Sequence, residues 1–205
     1  IDPERGVVLM QGGERQRLRF RDELDTWQEV SARVISVTRV GENEANVELT
    51  GDVEASLVQR SVVDIAAPRA PKSDAPLVWE LRLGELKAKL ESVNVTPRGD
   101  GRTRAIELVE MFGRDGVNVT CAAKQLVMQG SACDWDQSSQ RLRIYAPGGA
   151  SGVQSLRQGP IDAPHEIVAR EITAVRTSAA DRDEVLLFFE DVLSATFYLR
   201  GELTT

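Results

Sequence analysis

His165 is the chain's one histidine, and it sits in Asp162-Ala163-Pro164-His165-Glu166. It is therefore the first place to look for acid–base chemistry. A hydrolytic triad needs a nucleophile, a base and an orienting carboxylate. No Gly-x-Ser-x-Gly elbow is present to supply the nucleophile, because Gly149-Ala150-Ser151-Gly152 has the wrong spacing. Cys121 with His165 has the residue types of a thiol dyad, but nothing in the sequence brings the two together. His165 reads instead as a residue at the start of a strand. The carboxylate clusters Asp134-Trp135-Asp136 and Asp181-Arg182-Asp183-Glu184 do not match a twelve-residue calcium loop, and aspartate-rich turns arise anyway because the side chain caps its own backbone. The Gly148 to Gly152 segment lacks the lysine and following helix of a phosphate loop. These residues predict no catalytic group, no metal and no cofactor. A carbohydrate-active enzyme would need two carboxylates about 5 to 9.5 Å apart across one cleft, which linear spacing does not reveal.

Cys121 and Cys133 are too few for a disulfide framework and lack zinc-site spacing. If the chain reverses near Gln129-Gly130-Ser131, the two fall on neighbouring strands, and an oxidising compartment would permit a bond between them. Alternatively Cys121, on the same row as Val117 and Val119, is a small buried apolar side chain. Both readings stand on the sequence. Arg15, Arg17, Arg19 and Arg21 alternate with Gln16, Leu18 and Phe20, which puts four guanidinium groups on one strand face. That face is either a site for anionic head groups or an ordinary solvated surface. Asn94-Val95-Thr96 and Asn118-Val119-Thr120 match the glycosylation pattern but fall where strands are expected, so they read as incidental.

The 205 residues are 41% hydrophobic and 28% charged but only 5% aromatic. The apolar content is carried by Val, Leu, Ile and Ala, a composition that suits pleated strands. A formal net charge of −7 repels phosphate backbones, which argues against a nucleic-acid partner. No run of about 18 apolar residues is present to span a membrane as a helix. The opening Ile1-Asp2-Pro3, without a methionine, suggests a chain trimmed from a longer one.

The elements needed to position any site are strands. Ala45 to Val58 alternates cleanly, with Val47, Leu49, Val53, Ala55 and Leu57 on one face and Glu48, Thr50, Asp52, Glu54 and Ser56 on the other, and a bend or bulge at Gly51. Arg33 to Val40 and Val78 to Val95 read as strands, although Gly84 to Glu91 also fits two helical turns. Short strands are expected at 117–121, 125–129, 132–135 and 141–145, and a longer strand pattern at 167–203 with a polar turn at Ser178 to Glu184. Turns are expected at Pro97-Arg98-Gly99-Asp100-Gly101 and Gly113-Arg114-Asp115-Gly116, with loops at Ala67 to Ala75 and Pro147 to Gly159. Helical spacing in Asp22 to Val34 and Val185 to Leu193 is weak, and the second also reads as a buried strand. The expectation is an all-β chain of stacked antiparallel strands, one elongated domain over 1–205 with a soft boundary near 67–76.

Three segments share a further pattern: Gly84-Glu85-Leu86-Lys87-Ala88, Ala123-Lys124-Gln125-Leu126-Val127-Met128 and Ala169-Arg170-Glu171-Ile172-Thr173-Ala174. Leu86, Leu126 and Ile172 recur at intervals of 40 and 46 residues. With Val47-Glu48-Leu49-Thr50-Gly51-Asp52-Val53, these segments resemble the OstA-like family, the LptA- and LptC-type periplasmic proteins of lipopolysaccharide transport. The resemblance covers most of residues 45 to 200. It implies a β-jellyroll or V-shaped fold, an apolar groove that takes the acyl chains of lipopolysaccharide or another amphiphile, and docking to copies or neighbours by strand edges. It further implies an extracytoplasmic, periplasmic location and no enzymatic activity. On that reading the groove is lined from the inward rows by Val47, Leu49, Val53, Leu126, Met128, Ile172 and Leu186. The alternative is a structural β-scaffold with a filled core and no small ligand. The chain's length, the irregular repeat and the Pro68 to Pro76 segment depart from the family pattern.

Overall fold

A computed structural model describes residues 7–21, 27–59, 77–95, 103–149, 152–160, 162–179 and 182–197. The loop expected at Ala67 to Ala75, the soft boundary at 67–76 and the turn at Pro97 to Gly101 lie outside the described residues. Ten strands carry the fold: β1 (Val7–Arg21), β2 (Trp27–Arg39), β3 (Glu44–Gln59), β4 (Leu77–Val95), β5 (Thr103–Cys121), β6 (Leu126–Asp136), β7 (Arg141–Tyr145), β8 (Gln154–Gln158), β9 (His165–Ala179) and β10 (Arg182–Thr196). They form a single antiparallel sheet from β1 at one edge to β10 at the other, in which chain neighbours pair from β1 to β7 and β9 follows β7, while β8 bridges β6 and β9. The protein is all-β, as the alternating sequence requires. The candidate helices at 84–91 and 185–193 are both strand, because β-branched and aliphatic residues at alternate positions find a partner strand on the sheet.

The ladders break along one line that crosses the strands. Register shifts fall between Gln11 and Gln16 in β1, Ser31 and Val34 in β2, Thr50 and Val53 in β3, Arg82 and Glu85 in β4, and Arg114 and Val117 in β5. Bordering the break, Gln11, Val34, Thr50, Glu85, Arg114, Ala132, Tyr145, Glu171 and Glu190 form one continuous row of Cα partners. Aligned bulges bend every strand in the same place, so the sheet acquires a crease. The crease keeps apolar residues inward by shifting the alternation. In β2 the inward set is Val30 and Ala32 before the break and Ile35 after it, and in β4 it is Leu81 and Leu83, then Leu86 and Leu90. A flat sheet with nothing packed on it would leave these side chains in water. Their near-complete burial shows the two halves of the sheet folded over a shared apolar face, and β1 comes against β5 although three strands separate them in the sheet.

The bend anticipated at Gly51 is one of these bulges, with Gly51 at φ 81° and Asp52 at φ 51°. Arg33 fixes it by an ion pair to Asp52, and Arg15 donates to the Asp52 carbonyl. The turn expected at Gly113 to Gly116 is a correction. β5 runs straight through it, and Asp115 and Gly116 adopt positive φ inside the strand as a bulge, where aspartate and glycine tolerate the left-handed region. The reversal expected near Gln129 to Ser131 is likewise absent, since β6 is continuous. The chain instead turns at the 3-10 segment Ala122–Lys124, with Gln125 in the left-handed region donating to the Ala122 carbonyl at 3.0 Å. The segment expected as a loop, Pro147 to Gly159, contains β8.

At the crease β6 changes partner, from β8 along Leu126–Gln129 to β7 along Ala132–Asp136. The backbone between these stretches has no strand to bond on that side. Gln154, fully buried, takes the missing strand's place: its Oε1 accepts from Ser131 N–H at 3.0 Å and its Nε2 donates to the Gly152 carbonyl at 3.2 Å. Gly130 makes room for it, since a Cβ there would collide with Gln154 Oε1 and Ile144. Gln28 acts similarly at the far end of β2, where its amide pairs with both backbone groups of Val58, at 3.0 and 2.7 Å. Replacing Gln154 by Leu should leave the Ser131 amide buried and unbonded, at a cost of about 1 to 3 kcal/mol. Gly130→Ala should destabilise as well, and urea unfolding followed by far-UV circular dichroism reads both losses.

Candidate functional site

Six of the seven residues expected to line a groove do share the inner face. Val47, Leu49, Val53, Leu126, Met128 and Ile172 belong to one apolar cluster, and each is buried to 8% exposure or less. Leu186 does not belong with them. β10 pairs with β9 so that Phe189 stands opposite buried Ile172 and Leu187 opposite Ala174, which turns Leu186 to the outer face at 44% exposure. A short apolar run reads the same in either strand orientation, so only the register could assign its faces.

The inner face is not closed evenly. Next to the crease Ala32, Ile35, Leu49, Val53, Met128, Cys133, Ile144 and Ala169 have essentially no exposure. Toward the strand ends burial is uneven: Leu57 and Trp79 in one half of the sheet, and Val37, Trp135 and Leu142 in the other, are only half-buried, whereas Cys121 at the end of β5 and Val47 and Met111, in the row of Val37 and Trp135, are buried. Trp135 and Leu142 are cross-strand partners, which sets an aromatic and an aliphatic surface side by side. The partly exposed side chains at Trp135 and Leu142 thus form an apolar mouth beside a row that is otherwise buried at Val47 and Met111.

Two further features were invisible in the sequence. The first is β10, which together with Phe197 just beyond it holds five of the exposed large apolar side chains: Leu186, Phe188, Val192, Leu193 and Phe197. β10 pairs with β9 on one side only among the described strands. Its run of apolar residues was legible; that it forms an edge was not, because edge position is a property of the whole sheet. The second is a hollow of about 420 Å³ on the outer face, across β3 to β7, which includes Lys87, Glu110, Phe112, Asp134, Asp136 and Arg141. Asp136 there accepts hydrogen bonds from the Ser138 hydroxyl and from Ser139, and these hold its carboxyl down at about 2.

The cysteines are both buried and free. Cys121 stands opposite Leu126, whereas Cys133 stands opposite Gly113, eight residues away along β5. That separation is roughly 26 Å of strand, far beyond disulfide reach. The bond allowed by the sequence does not form, because the reversal that would have aligned the pair is replaced by continuous β6. The four arginines of β1 also take their bland role. Arg15 pairs with Glu54 at 2.7 Å and Arg19 with Glu29 at 2.5 Å, while Arg17 reaches Glu29 at 3.8 Å; the side chain of Arg21 is outside the described residues. His165 stacks at a tilt on Phe197, with ring centroids 5.9 Å apart, and Asn118 lies inside β5, paired on both sides. No group of three or more metal-ligating side chains occurs among the described residues, and none of their helices is long and apolar enough to cross a membrane.

Burial, reinforced by the nearby Asp134 carboxylate, pushes the Cys133 thiol up to about 12 from an ordinary 9. The sign follows from linkage: below pH 9 its contribution to stability is complete, and it is lost as pH rises toward 12, because the unfolded chain releases the proton first. Cys133→Ala should therefore flatten the alkaline fall of Tm. In the native protein a bulky thiol reagent should modify neither cysteine, and in denaturant it should modify both.

No family model, curated protein or solved structure matches the chain.

Proposed function

We propose that this chain is a non-enzymatic cell-envelope protein that binds the acyl part of an amphiphile such as lipopolysaccharide at the mouth of its folded sheet and docks to neighbours through its sheet edges. The observation that carries this reading is the uneven burial of the inner face, sealed at the crease and half-open at Leu57, Trp79, Val37, Trp135 and Leu142. Acyl chains gain about 0.8 kcal/mol for each CH₂ removed from water, so an apolar mouth on an otherwise charged protein favours them over polar ligands. The occupied residues on this reading are the partly exposed ones, Val37, Trp135 and Leu142 in the row of Val47, rather than buried Leu49 or Met128 beside the crease. The extracytoplasmic location belongs to the same proposal and rests on the OstA-like pattern.

A second reading, a scaffold with a filled core and no small ligand, is favoured by the tight closure beside the crease. The two separate at the mouth. A fluorescent fatty-acid probe should bind saturably, lipopolysaccharide should displace it, and Leu142→Asp should weaken it by about tenfold or more. Failure of the wild type to bind either probe would leave the scaffold reading.

Edge docking is supported by β10 and β1 together. β10 carries Asp183, Glu184, Glu190 and Asp191 against Arg182 alone, whereas β1 carries Arg15, Arg17, Arg19 and Arg21 against Glu14 on its own strand, with Glu54 and Glu29 of the neighbouring strands offsetting part of that charge. Unpaired backbone groups at a long edge recruit another strand, and opposite charge favours the β10 edge of one copy meeting the β1 edge of the next. Sedimentation velocity should show concentration-dependent association that salt weakens. Phe188→Lys with Leu193→Lys should abolish it, and a strict monomer for the wild type at high concentration would count against docking between copies.

A further inference from the structure

We infer that the outer-face hollow centred on Phe112 is a binding site for neutral glycan chains; it opens on the other face of the sheet from the apolar mouth, and Trp135 borders both. Phe112 is an aromatic ring set between charged side chains, in a cross-strand row that continues through Asp134, Arg143 and Thr173 to Phe188. Its Cα partners are Lys87 on one side and Asp134 on the other. Each of these is already held by an ion pair, Lys87 to Glu48 at 3.1 Å and Asp134 to Arg143 at 2.6 Å, and the two pairs bracket the ring. The next row along the strands runs Asn46, Lys89, Glu110, Asp136 and Arg141. In it Lys89 is held by Glu44 and Glu91 and Asp136 by its serines, whereas Glu110 and Arg141 have no partner among the described residues. Two strand spacings put them about 10 Å apart at their backbones.

This arrangement selects a ligand class. An apolar ring with a negative π face attracts the C–H bonds on one side of a pyranose ring. A carboxylate and a guanidinium beside it, neither paired among the described residues, accept from and donate to hydroxyls, which serve as both donor and acceptor. Among the charged lining residues, Lys87, Lys89 and Arg141 stand against Glu48, Glu110, Asp134 and Asp136, which nearly cancels the field and gives no advantage to phosphates or polycations. The hollow, about 420 Å³, falls within the size range of small-ligand clefts. A peptide fits less well. β4, β5 and β6 have strands on both sides here, so no edge is open for strand addition, and the hollow has no deep apolar pocket to take an anchor side chain.

The test is calorimetric titration of the full chain with two neutral probes, cellohexaose and chitohexaose. At least one should bind saturably. Phe112→Ala should weaken that binding by about tenfold or more, and Phe112→Trp should preserve it. Glu110→Gln combined with Arg141→Gln should weaken it too, with unchanged far-UV circular dichroism and unchanged affinity for the fatty-acid probe. The inference is overturned if neither hexaose binds at millimolar concentration, if Phe112→Ala binds as the wild type does, or if a mixed-charge peptide competes for the same site with equal affinity.

Discussion

Everything else in this molecule depends on the crease. A single antiparallel sheet has two faces and no second layer, so its apolar face can be buried only if the sheet folds on itself. The bulges that permit folding would be costly if scattered, because each breaks a ladder locally. Aligned across β1 to β5 and continued by the change of partner in β6 and β9, they share one line and leave regular pairing on either side. Small residues make the line passable. A Cβ on Gly84 would stand 2.6 Å from that of Asp115, and one on Gly130 would collide with Gln154. The bulged side chain of one strand thus rests where its neighbour has none.

From the crease follow both the stability and the openness of the interior. Burial is complete where the halves meet, and away from the crease it is uneven, with Cys121 and Val47 buried but Trp79, Val37, Trp135 and Leu142 partly exposed. The outer face meets a different demand. It is laced with cross-strand ion pairs such as Arg114 with Glu85 at 2.7 Å, Arg143 with Asp134 and Arg157 with Glu166 at 3.1 Å. Exposed pairs of this kind contribute little stability each. They keep that face soluble and set its register, and within the hollow Phe112 interrupts the charge lattice.

The sequence made the fold class legible because alternation over β3 and β4 is long and regular, and the Gly51 bulge showed as a small residue followed by an unbroken pattern. It misled where a bulge and a turn share the same chemistry. Gly113-Arg114-Asp115-Gly116 carries the residues of a reversal, yet β4 and β6 hold both sides of it in ladder, and tertiary pairing decides. The same ambiguity at Gly130 produced the expected alignment of Cys121 with Cys133. Six of the seven groove candidates could be placed on the inner face because they sit in regular alternation; Leu186 could not, because Val185-Leu186-Leu187-Phe188-Phe189 is apolar at every position and only pairing with β9 assigns its faces. The half-open rim at Trp135 and Leu142 and the edge position of β10 belong to the assembled sheet and have no local signature.

The central claim is that the apolar mouth between the two halves of the sheet receives acyl chains. Trp135, half-buried beside Leu142, is a built-in reporter of that event. In a variant retaining only this tryptophan, with Trp27 and Trp79 replaced by Phe, a fatty acid brominated along its chain should quench the indole emission saturably, and its unbrominated counterpart should compete. Emission unchanged by the brominated chain at saturating concentration, in a protein that keeps its strand content, would contradict the account.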